Sequence, residues 1–413
     1  MPSLLAFLPE PWKQLLARVW AYAWKWVGTP LAGVLITVVF VSRFQEAFTG
    51  PASYTVYFVG DLQAPVVARI YDGMWNQVGN RAAIDGKPVR LQSVDDAGDP
   101  GAAAGLAQKL SSRADTLMVV GHGYSSTSKT ALPVYLLRED PVPVILPTET
   151  NPSLLPPGPG GEFMPVFRLA PDDSKQAKTA AEFAMNVLRA NTLWVIQDTA
   201  NEVYSKFLAT EFTERVHQSP GHIVVLSSTT GQAVPRDVLQ ALNVKCVFFA
   251  GNWSPALTVV RQVRSLVPNA SIILSDGAAS LQLTQQGGSE VNGVYLTHPR
   301  SAAEIRSFGY EYCGRDAGQI VLTLITEADQ RFSEIRKDQG TLAYDLTRVL
   351  NMHRVTDARA VIRQVMKEYM HNERKRFQQM PSKSNYQFNS LGEPVSRDFH
   401  VWQIRQGRFE DVK

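Results

Sequence analysis

Residues Asp115 to Ser128 read DTLMVVGHGYSSTS: an apolar, β-branched run, two glycines around a histidine, then hydroxyl residues. The run has the length of one buried strand, and glycine lets the chain turn sharply after it. Ser and Thr suit the N-terminus of a helix, so the stretch predicts strand, turn and helix start, half of a parallel α/β unit. The same grammar recurs upstream in YTVYFVG (Tyr54 to Gly60) and PVRLQSV (Pro88 to Val94), and downstream in PVILP (Pro143 to Pro147). Between them GAAAGLAQKLSSR keeps Ala103, Leu106, Ala107 and Leu110 on one helical face. After Pro171 the pattern restarts with TLWVIQD (Thr192 to Asp198), HIVVLSS (His222 to Ser228), VKCVFFAG (Val244 to Gly251) and SIILS (Ser271 to Ser275). Apolar strands alternating with amphipathic helices predict α/β architecture, here two doubly wound Rossmann-like lobes.

The rest of the chain is less regular. A further strand is expected at GVYLTHP, with helices from about Arg315 to Phe332 and Thr356 to Phe377. The second helix has an apolar face of Val361, Ile362, Val365, Met366, Tyr369 and Met370, opposite a basic surface that includes Arg359, Arg363 and Lys367. Such a surface reads as solvated, with contact to anionic lipid as the alternative. The Pro- and Gly-rich stretch from Pro147 to Pro165 reads as a long surface loop.

At the other end, WVGTPLAGVLITVVFVS (Trp26 to Ser42) holds seventeen residues without a charge. That is the short limit for spanning a hydrocarbon core of about 30 Å. Lys13, Arg18 and Lys25 precede it, placing the N-terminus inside, and SRFQEAF offers no small-residue cleavage site. The reading is an uncleaved single-pass anchor (26–42) behind an amphipathic cytoplasmic-side tail (1–25), with everything from about residue 50 outside the cytoplasm.

A net charge of +3 from 41 basic and 38 acidic residues gives no reason to expect nucleic acid. Two cysteines, Cys246 and Cys313, make no scaffold, and no CxxC or HExxH spacing supplies a metal site. Both are expected to be buried. No catalytic residue is proposed. GHGYSS lacks the G-x-S-x-G elbow of a serine hydrolase and the third glycine of a dinucleotide fingerprint, and His122 reads as structural. No cofactor is implied.

Ligands of open parallel sheets bind beyond the carboxyl ends of the strands. The residues there are Ser125 and Ser126, with hydroxyls and helix-start amides suited to an anion; Thr148, Glu149 and Thr150; and, from the second lobe, Tyr204, Trp253 and Asp276. Tyr204 and Trp253 suit pocket walls, and Asp276 suits an ammonium group.

The order of VDDAGDP, VVGHGYSS, VILPTETNP, FRLAPDDSKQ, VFFAGN, SDGAAS and the closing FNSLGEP and VWQIRQGRF resembles the type I periplasmic binding proteins, in their leucine/isoleucine/valine-binding branch, from about Tyr54 to Phe409. The resemblance implies two lobes joined by three hinge crossings: 53–170 with 298–378, and 171–297 with 379–413. It further implies that Ser125 and Thr150 bind a ligand's carboxylate and amino group, with Tyr204 and Asp276 facing them. Glu149 stands where the family has a small residue, and Gly98 and Tyr124 replace a cysteine pair found in some relatives. The implied function is a membrane-anchored solute-binding protein for a small amino acid, amine or amide, serving ABC-type uptake or sensing beside a permease. The alternative is a receptor or interaction domain whose altered pocket serves a protein partner.

Overall fold

This computed structural model describes residues 51–79, 81–155, 158, 163–302, 310–339, 354–372, 375–378, 380, 381, 386–395 and 398–412. The expected tail and anchor lie outside the described residues. Among the described residues no helix is long and apolar enough to cross a membrane.

The first lobe is built on a six-stranded sheet of β1 (Tyr54–Gly60), β2 (Ala83–Ile84), β3 (Lys87–Asp95), β4 (Thr116–Gly121), β5 (Val144–Leu146) and β6 (Val166–Arg168), in the order 2-3-1-4-5-6. All neighbours are parallel except β2, a short antiparallel edge. Every residue of β1 is buried, as a central strand requires, and this is why its sequence is uninterruptedly apolar or small. Helices α1 (Pro65–Val78), α2 (Pro100–Ser112) and α3 (Ser125–Leu136) link the strands. In α2, Ala103, Ala107 and Leu110 face the core, and Asp99 caps the helix by accepting from Ala102 N.

The second lobe has seven strands in the order 13-12-11-10-9-7-8: β7 (Thr192–Gln197), β8 (Val224–Thr229), β9 (Cys246–Ala250), β10 (Ser271–Leu274), β11 (Tyr295–His298), β12 (His400–Arg405) and β13 (Arg408–Asp411). Its helices are α4 (Asp173–Glu182), α5 (Glu202–His217), α6 (Arg236–Leu242), α7 (Trp253–Leu266) and α8 (Leu281–Gly287). The pleat divides β7 and β9 between two cores. Trp194, Ile196, Val247 and Phe249 pack on one face, while Leu193, Val195, Cys246 and Phe248 pack on the other. Cys246 is a fully buried small apolar residue, its thiol pushed up to about 12 by burial.

The chain crosses between lobes after β6, after β11, and again before β12. Its two remaining helices, α9 (Glu311–Gln339) and α10 (Arg354–His371), return to the first lobe. There Gly314 of α9 sits so close to α1 that an added Cβ would stand 1.9 Å from Ile70 O. The basic surface of α10 is not free. Arg359 donates to Thr116 O and pairs with Asp140, and Arg363 pairs with the same carboxylate. Partners on the first lobe therefore account for two of the arginines of a surface expected to be solvated, with lipid as the alternative.

Candidate ligand cleft

Each sheet reverses its strand order at one place: between β1 and β4 in the first lobe, and between β7 and β9 in the second. Crevices for ligands open at such points. A cleft lies there, lined from the first lobe by Val66, Val67 and Ile70 of α1, by Gly123, Tyr124 and Ser125, and by Thr148, Glu149 and Thr150. The second lobe contributes Asn201, Tyr204, Asn252, Trp253 and Asp276 to Ser280 apart from Ala278, and Tyr310 completes the wall.

Gly121 makes the approach to the cleft possible. Its φ of +133° and an ideal Cβ only 1.9 Å from Val59 O leave room for no side chain. Beyond it His122 turns inward. Nδ1 is 2.8 Å from Asp96 Oδ2 and Nε2 is 3.2 Å from Tyr135 OH, a buried structural arrangement. The β4–α3 turn then presents Ser125 at the first position of α3, 2% exposed, with its hydroxyl unpartnered. Ser126, about 100° further round the helix, is not among the lining residues, contrary to expectation. Gly98 and Tyr124 do lie together: the ring is 3.2 Å from the position a Gly98 Cβ would take. Burial, with Asp61 and Asp96 nearby, pushes the Tyr124 hydroxyl up to about 12.

Glu149 is 1% exposed and tied to its own lobe. Its Oε1 accepts from Gly123 N (3.0 Å) and Ser128 Oγ (2.7 Å), and Oε2 accepts from Thr148 N (2.9 Å). The carboxylate neither projects freely into the cleft nor blocks it; it takes donors from the loop that was expected to hold an anion. The TETN loop is fixed from behind by Arg168, whose Nη1 donates to Thr150 O and Asn151 O and whose Nη2 pairs with Glu393.

Asp276 is likewise committed. It accepts from Gln176 Nε2 (2.7 Å), Gly277 N (2.9 Å) and the hydroxyls of Tyr204 and Tyr310. Burial raises its carboxyl above the ordinary range against these four donors. Burial and the Asp276 charge drive the Tyr204 and Tyr310 hydroxyls well above their usual value, so both stay protonated donors. Expecting Asp276 to await an ammonium group overlooked Tyr310, which lies beyond the second crossing and carries no local motif. Asn201, in the loop that follows β7, also lines the cleft, 6% exposed with an unpartnered Oδ1, and sequence reasoning missed the apolar wall of Val66, Val67 and Ile70. The wall was traceable, because PVVARI opens the helix that follows the first strand. A hydrogen bond from Asn151 Nδ2 to Val203 O (2.6 Å) spans the lobes at the cleft edge.

Two α/β lobes with a cleft at both switch points define a bilobal binding protein rather than a single dinucleotide fold. A model of the periplasmic binding proteins matches residues 74–307, more than half of the chain, and the chain belongs to that family. It is similar to an amino acid binding protein of Pseudomonas aeruginosa, 30% identical over 220 residues, or 52% of this chain and 57% of that one. The match thus spans little more than half of that relative. A Leu/Ile/Val-binding protein of Rhizobium johnstonii is 26% identical over 285 residues, 65% of this chain and 74% of the relative. Among solved structures, a leucine binding protein from Thermotoga maritima superposes with a TM-score of 0.69 at 17% identity, covering 87% of this chain and 98% of its own. A branched-chain amino acid transporter substrate binding protein of Streptococcus pneumoniae, in complex with isoleucine, gives 0.65 at 16% identity, covering 87% and 99%. These structural likenesses concern the fold.

Proposed function

We propose that this protein is an extracytoplasmic solute-binding protein, whose lobes close over a small amino-acid-like ligand for ABC-type uptake or sensing. The observation that carries this reading is the interlobe cleft, whose lining joins an apolar wall to Ser125 and Asn201, each with a buried, unpartnered side-chain oxygen. A polar atom left without a partner in a buried wall is costly unless a ligand or water completes it. Relatives named for binding amino acids support the ligand class. The interaction-domain alternative would be favoured by a filled pocket, and Glu149 is drawn back rather than filling it.

Ser125, Thr150, Tyr204, Trp253 and Asp276 would surround the ligand, with Tyr204 acting through its bond to Asp276. A thermal-shift panel of amino acids, amides and amines on the full chain tests the proposal. Ligand at about a hundred times its dissociation constant adds about 2.7 kcal/mol of stability. One compound class should raise the melting temperature, and Ser125→Ala should suppress most of the rise. Silence from a folded protein would reject the reading. Tethering through Trp26 to Ser42 belongs to the same proposal, and carbonate-washed membranes should retain the chain. Its release into the wash would remove the anchor.

A further inference from the structure

We propose that the cleft selects a small cationic amine or amide lacking a free carboxylate; this rests on the solute-binding reading and names its ligand class. The carboxylate of Glu149 already takes donors from the two loops that were expected to hold an anion. It accepts from Gly123 N and Thr148 N, amides of the two cleft loops, and from Ser128 Oγ of α3. Three donors already meet its two oxygens.

Among the described residues lining the cleft none is Lys, Arg or His, whereas two are acids, Glu149 and Asp276. The buried guanidinium of Arg168, behind the TETN loop, is committed to Glu393 and to two carbonyls. A further carboxylate brought in by a ligand would find no basic side chain among these lining residues to offset its charge. An ammonium or amide nitrogen meets the opposite situation. Asn201 Oδ1 is an acceptor with no donor, and Ser125 Oγ can accept as readily as donate. Val66, Val67 and Ile70, with Trp253 across the cleft, suit a short hydrocarbon body.

Titration calorimetry on the full chain with matched pairs decides the matter: leucine and leucinamide, phenylalanine and phenylalaninamide, arginine and agmatine. The carboxylate-free member of the pair that binds should be about tenfold tighter or more, equivalent to about 1.4 kcal/mol. Glu149→Gln should narrow or reverse that preference. Should the variant not fold, the wild-type ratio suffices by itself. Equal or tighter binding of the amino acid by the wild-type chain would overturn this inference and leave the solute-binding reading standing. No heat from any of the six compounds would remove both.

Discussion

Asp173 shows how a single residue can sit against the interest of the fold. It occupies the first turn of α4, fully buried, and neither carboxyl oxygen has a hydrogen-bond partner. Burial first, and the nearby charge of Asp276, hold its carboxyl well above the usual range, against the opposing influence of Thr150 and Arg168. A carboxyl whose folded pKa is raised adds most to stability below its unfolded value of about 4, and that contribution is lost as pH rises through the folded value. Asp173→Asn should therefore raise the melting temperature at pH 7.5, with the gain shrinking as the pH falls toward 4. Thermal melts across that range check it. A variant less stable than wild type at pH 7.5 would mean that the charge has a partner it needs. At this same scale sequence reading was weakest. The side-chain types at positions 125, 149 and 276 were plain, but whether each is free or already bonded depends on Ser128, Gln176 and Tyr310, which only the fold brings to them.

Elements were easier to read than residues. The strands with buried centres, β1, β4, β7 and β9, appear in the sequence as unbroken apolar runs because parallel strands covered on both faces leave no position for a charge. β8 is an edge strand with Val224 at 47% exposure, and its sequence looks like that of the central ones. The closing hairpin was less legible. Its β12–β13 turn places Gln406 and Gly407 at φ +50° and +74°, a two-residue loop that usually announces itself with Asn-Gly. Helix α9 extends four residues before and seven beyond the expected span of 315–332, reaching Glu311 and Gln339. Its contact with α1 depends on Gly314, and Gly314→Ala should cost about 1–3 kcal/mol, the usual range for overpacking. Denaturant unfolding measures this. A variant within about 0.5 kcal/mol of wild type would show that the two helices part easily.

At the scale of the molecule, the chain passes between lobes three times, and the cleft lies between the two switch points. Such a scaffold works by population: ligand contacts made on both lobes favour the closed arrangement over the open one. The bond from Asn151 to Val203 already bridges the lobes. Two-lobe architecture was legible in the sequence because the strand-and-helix pattern runs twice. The return of α9 and α10 to the first lobe was not, since a crossing leaves no mark in hydrophobic periodicity. Closure of the two lobes on a small solute is best examined by small-angle X-ray scattering of the full chain, with and without a saturating compound from the thermal-shift panel. The radius of gyration should fall on binding, and Ser125→Ala at the same concentration should show little fall. An unchanged or larger radius with the site saturated would rule out closure as the response to ligand.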